Sequence, residues 1–84
     1  ADTYGQICGL SELHLPADFK TRKLDEITIR EKYQVTVVAV SQTDKNHKIF
    51  APTRETEIGP NDDIAVVGCA DGVKRFAEEY GIEL

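Results

Sequence analysis

The run Val35-Thr36-Val37-Val38-Ala39-Val40 constrains this chain more than any other stretch. Its side chains are β-branched at every position but one, and such residues lose rotamer freedom in a helix while packing well on a pleated surface. The run is apolar toward both faces, which predicts a central strand over residues 35–41 rather than an edge. Upstream, Leu24-Asp25-Glu26-Ile27 reads as a short helical turn, and Ile29-Arg30-Glu31-Lys32-Tyr33 as a polar hinge into the strand. An anion approaching this strand entrance would meet Arg30 first.

The remaining pattern alternates strands with polar connectors. Residues 1–6 are polar and read as a frayed N-terminus or the end of a linker. Leu13-His14-Leu15 alternates as a half-buried strand does, so a strand is expected over residues 7–15, bent at Gly9 and stopped by Pro16, with His14 on the solvent side. Thr21 is expected to cap the short helix, which would run through Arg22 and Lys23 and bury Leu24 and Ile27 at an i, i+3 spacing. Asp25 and Glu26 then form its wet side. A polar turn over residues 42–47 leads to a return strand, 48–51, that ends at Pro52. The connector 53–61 holds one apolar anchor, Ile58, and residues 64–69 form a third buried strand. The last element is a helix with Asp71 as its cap and Gly81 as its stop. Val73, Phe76, Ala77 and Tyr80 line one face of it, and Lys74–Glu78 and Arg75–Glu79 are spaced for i, i+4 pairs on the other. The tail, 82–84, is left to add an edge strand or to fray.

The order β, α, β, β, β, α predicts one α+β domain over residues 7–84, a small mixed or antiparallel four-stranded sheet with helices on one side. Helices on one side leave apolar surface on the other, so a homodimer is expected.

Composition removes several function classes. No apolar run is long enough to span a bilayer, and no signal segment opens the chain. The sequence holds no methionine, from which we expect a segment of a longer protein. Net charge is −5 with the ten basic residues scattered, whereas nucleic-acid binders cluster theirs, so no nucleic acid polymer is expected as a partner. Cys8 and Cys69 belong to no metal-spaced cluster and read as small buried strand residues in a reducing compartment, with a single disulfide left open. No nucleophile elbow, P-loop, dinucleotide fingerprint or zinc-protease motif occurs, so no enzyme is expected. Gly68-Cys69-Ala70-Asp71-Gly72 sits between strand and helix like a phosphate-binding turn, but it lacks a third glycine and carries an acid where phosphate would lie. It reads as a structural turn. Asp62-Asp63 and Glu55 with Glu57 have no calcium-loop spacing, so no metal site is expected.

Four segments in order carry a family resemblance: Gly9 to Pro16 (GLSELHLP), Lys23 to Val40 (KLDEITIREKYQVTVVAV), Ile49-Phe50-Ala51-Pro52, and Ile58 to Gly68 (IGPNDDIAVVG). Together they resemble the TrkA-C domain, the C-terminal lobe of the regulator of potassium conductance (RCK) family, across nearly the whole chain. The resemblance implies a cytoplasmic regulatory module that dimerises and serves a membrane-embedded potassium or other ion transporter or channel. In several such modules the dimer interface binds cyclic di-AMP through an arginine in the helix-to-strand hinge and flanking apolar residues. By position the arginine is Arg30, the apolar residues are Leu24, Ile29 and Val35, the proline is Pro52, and Thr36 stands where an adenine-reading asparagine is common. Glu31 replaces a residue that is often small, and Gln34 and Asn61 stand where glycine is usual. No cofactor is implied beyond this regulatory ligand. The alternative is a purely structural dimerisation domain without a ligand.

Overall fold

The computed structural model describes residues 8–84. A four-stranded antiparallel sheet in the order β1-β6-β3-β4 is built from Cys8–His14 (β1), Thr36–Ser41 (β3), Ile49–Phe50 (β4) and Asp63–Cys69 (β6). The expected α+β architecture is therefore present, with β3 and β6 at the centre. A second, two-stranded ribbon pairs Arg22–Lys23 (β2) with Glu57–Ile58 (β5). Among the described residues three α-helices, Leu24–Ile27 (α1), Ile29–Tyr33 (α2) and Ala70–Tyr80 (α3), and a 3-10 turn at Thr43–Lys45 complete the fold.

The core lies on one face of the sheet. Leu13, Val40, Ile64 and Val66 of the strands meet Ile29 and Tyr33 of α2 and Val73, Phe76 and Ala77 of α3. Each is an inward position of a period-2 or period-3.6 pattern. Tyr33 stacks edge-on against Phe76 at 5.4 Å, and Phe76 leads on to Tyr80 at 5.1 Å. Ile58 is 1% exposed, as expected of the connector's anchor. Gly81 stops α3 in the left-handed conformation, with its N–H on the Ala77 carbonyl. Beyond it the Ile82 N–H bonds the same carbonyl and the side chain is buried, so the tail neither pairs as a strand nor frays at that residue.

Several local expectations are corrected. Residues 1–6 and Ile7 lie outside the described residues. Arg22 and Lys23 are strand rather than helix, because β5 offers them a partner; the helix begins at Leu24, and Thr21 does not cap it. The Lys23 N–H is instead taken by Glu26 Oε1 at 2.8 Å, which gives one member of the supposed wet acidic pair a capping role. The polar hinge is the second helical turn, α2. Strand β3 carries an irregularity between Val37 and Ala39, which leaves Val38 40% exposed. Asp71 lies in the first turn of α3, whose cap is Cys69, and Arg75 reaches Asp71 at 3.6 Å rather than Glu79. Cys8 and Cys69 stand opposite each other across β1 and β6 and form a disulfide; neither is buried.

Asp62, the first of two adjacent aspartates, is buried. Its Oδ1 accepts the Thr43 N–H at 3.0 Å and its Oδ2 the Gly59 N–H at 2.7 Å, while its carbonyl accepts the Leu15 N–H. Asp62 thus joins the exit of β1, through its carbonyl, to two loops, through its carboxylate. Its neighbour Asp63 pairs with His14 Nδ1 at 2.7 Å on the exposed side of the sheet.

Candidate ligand-binding groove

The segment between β2 and β3 is built by two residues with positive φ. Thr28, at φ 50° and ψ 44°, ends α1 and turns the chain directly into α2; Gln34, at φ 56° and ψ 41°, ends α2 and releases it into β3. Left-handed backbone is costly for any side chain and most so for a β-branched one. Local bonds hold both turns. Thr28 Oγ1 donates to the Ile27 carbonyl at 2.6 Å, the Lys32 N–H to the Thr28 carbonyl at 2.9 Å, and the Gln34 N–H to the Arg30 carbonyl at 3.0 Å.

Helix α3 supports the segment from below. The Arg75 guanidinium lies over the Tyr33 ring at 5.7 Å and donates to the Lys32 carbonyl and to Gln34 Oε1. Burial pushes the Tyr33 phenol above its ordinary range. Gly68 and Gly72 permit the approach: a Cβ on Gly68 would stand 2.9 Å from Val35 Cγ2, and one on Gly72 would drive into the Tyr33 carbonyl oxygen. The glycines of the Gly68-to-Gly72 turn thus admit the backbone of the candidate site rather than a phosphate.

Above this support lies an open groove of about 530 Å³. Leu24, Ile29, Arg30, Val35, Thr36 and Pro52, from four separate stretches of sequence, all line it. Val35 and Ile29 are buried in its floor, Leu24 and Pro52 are half-buried walls, and Arg30 and Thr36 are exposed at its rim. Among the described residues no carboxylate lies within ion-pair distance of Arg30. Its five donors are available to an incoming acceptor. Glu31 also lines the groove.

The groove includes residues that the sequence reading left out, notably Asp25, Thr28, Thr53 and Arg54. Thr53 to Thr56 forms a tight turn, with the Thr56 N–H on the Thr53 carbonyl and the Thr53 N–H on Thr56 Oγ1. The turn is sewn to α1 by the Leu24 N–H on the Thr56 carbonyl and the Asp25 N–H on the Arg54 carbonyl. Arg54 Nη2 then reaches Asp25 Oδ1 at 3.0 Å, a contact that raises the arginine's pKa. Nothing local in the sequence marks Arg54, since its partner lies 29 residues away. Lys23 Nζ pairs with Glu55 in the same region, which raises the ammonium's pKa.

An apolar floor with a free guanidinium donor set at the rim is suited to holding a partly apolar anion. Among the described residues no group of three or more His, Cys, Asp or Glu is placed to hold a metal ion, and no helix is long and apolar enough to cross a membrane.

Comparison with known proteins agrees with this fold. A family model described as the TrkA-C domain matches residues 10–81. No curated protein matches in sequence. Among solved structures, the fold is similar to the RCK_C domain dimer of S. agalactiae BusR in complex with c-di-AMP, with a TM-score of 0.76 at 19% identity, covering 88% of this chain and 91% of that one.

Proposed function

The chain belongs to the TrkA-C domain family, and from that premise we propose that it is a regulatory module that dimerises and senses cyclic di-AMP at its two-fold interface. The observation that carries this reading is the convergence of Leu24, Ile29, Arg30, Val35, Thr36 and Pro52 on one groove with an unpaired guanidinium at its rim. A structure of similar fold is a dimer with c-di-AMP bound, which supports the same ligand and the same assembly here.

A two-fold dinucleotide offers each protomer an identical phosphate and adenine, so one groove per protomer suffices. Arg30 supplies a charge-assisted, forked contact to the phosphate. The apolar floor of Ile29 and Val35 takes the adenine face, with Leu24 and Pro52 beside it. Thr36 offers a single hydroxyl to the base edge, where an amide would offer a paired donor and acceptor.

In this reading the domain is a segment of a longer protein and acts on the cytoplasmic side of a membrane-embedded potassium or other ion transporter or channel. Gating follows if the ligand prefers one dimer geometry over another, since equal affinity would shift nothing. The family's role is regulatory. Calorimetry with cyclic di-AMP tests the reading. Binding is expected for the wild type, with a loss of about tenfold or more for Arg30→Ala, the scale of one charge-assisted bond. No heat with the wild type at micromolar concentrations would overturn the ligand assignment.

A further inference from the structure

The rim of the groove carries four charges in one protomer, Arg30 and Arg54 against Asp25 and Glu31. With Arg30 alone the rim would be net negative, in a chain whose overall charge is already −5. A phosphodiester would then be repelled by more carboxylates than it meets guanidiniums. Arg54 restores the balance, and its position is built rather than incidental. The 53–56 turn is closed by its own threonines, and two backbone bonds to Leu24 and Asp25 fix it at the start of α1.

The Arg54 side chain is 83% exposed, and among the described residues its side-chain partner is Asp25. Its Nε and Nη2 both point at one oxygen, Asp25 Oδ1, at 3.3 and 3.0 Å. Three of the five guanidinium N–H bonds remain open to a further acceptor. An exposed ion pair of this kind contributes little to stability, so exchanging its carboxylate for a phosphate costs the fold little. Glu31 lies close enough to act on the Arg54 charge as well.

We propose that Arg54 is a second phosphate-binding cation of the groove, kept in place by Asp25, and that Asp25 competes with the ligand's phosphodiester for it. The inference rests on the anion-sensing reading above, but it concerns a residue that reading does not use. Asp25 thereby sets the affinity: it orders the guanidinium in the empty groove and must yield part of it when the phosphate arrives.

The test is calorimetry of the intact chain with cyclic di-AMP for the wild type, Arg54→Ala, Arg54→Lys, Asp25→Asn and the Arg54→Ala/Asp25→Asn double variant. Arg54 NMR signals at Nε–Hε are followed in parallel, with cyclic di-AMP and with inorganic pyrophosphate as a simple anion. Arg54→Ala is expected to weaken binding about tenfold, the loss of one charge-assisted contact. Arg54→Lys should recover part of it, and Asp25→Asn should tighten binding by about two- to fivefold. The gain from Asp25→Asn should shrink in the Arg54→Ala background to what relief of carboxylate repulsion alone supplies, because without the arginine Asp25 has nothing to withhold. Unchanged melting temperatures certify that the variants fold. Wild-type affinity retained in Arg54→Ala overturns the role of Arg54, and weaker binding in Asp25→Asn overturns the competition. If the wild type ignores cyclic di-AMP while pyrophosphate moves the Arg54 signal, the dinucleotide reading fails and the cation role stands. If neither ligand moves it, the inference falls with it.

Discussion

At the scale of single residues, Thr28 carries the most unusual backbone in the groove. A β-branched residue at φ 50° costs about 1–2 kcal/mol relative to ordinary backbone, and it sits where α1 must turn into α2 with no linker. Such strain at a candidate binding site points to a geometry worth keeping. Thr28→Gly should therefore raise stability, by about 0.5–1 kcal/mol once glycine's greater unfolded-state freedom is subtracted. The same change should weaken cyclic di-AMP binding, because the junction that aims Arg30 becomes flexible. Urea unfolding and calorimetry on one preparation check both signs; lower stability in the variant would show that Thr28 is not strained. Asp62 shows how far residue-level reading of a sequence can reach. Two adjacent aspartates in a polar connector look solvated, and burial of the first follows only from where Thr43 and Gly59 are brought in space.

At the scale of elements, legibility followed the length of the repeat. Helix α3 and the central strands could be read because each offers several turns or pleats over which apolar positions recur. The β2–β5 ribbon could not, since a two-residue strand has no period and its partner lies far along the chain. The same holds for the groove. Arg30, Leu24 and Ile29 stand together in sequence, whereas Arg54 joins them only through the ribbon and the turn that precedes β5. Helix α3 bears on the groove through Gly72, which gives a test with opposed expectations. Helix propensity alone would have Gly72→Ala stabilise the protein by about 1 kcal/mol. Packing against the Tyr33 carbonyl demands instead that α3 move, at a cost of about 1–3 kcal/mol. Thermal unfolding of Gly72→Ala should show a net loss. A gain would mean that α2 and α3 are less closely packed than described.

At the scale of the whole molecule, the unanswered surface is the outer face of the sheet. Leu10 opposes Val67 on β6, which opposes Thr36 on β3, so the three form one row across that face. Leu10 is 67% and Val67 43% exposed, and the row ends at Thr36 in the rim of the groove. An apolar strip continuous with a ligand groove is what a two-fold dimer would cover while placing both grooves against one symmetric ligand. Dimerisation and binding are then linked by mass action: the ligand tightens the dimer, and anything that opposes the dimer weakens the ligand. Val67→Glu separates this from a fold defect, since a half-exposed strand position tolerates substitution at a cost of about 0.5 kcal/mol. In sedimentation at high micromolar concentration the wild type should run as a dimer and Val67→Glu as a monomer with a nearly unchanged melting temperature. The monomer should bind cyclic di-AMP at least tenfold more weakly although every groove residue is intact, because half of the symmetric site is missing. A Val67→Glu protein that stays dimeric with wild-type affinity would place the interface elsewhere on the molecule.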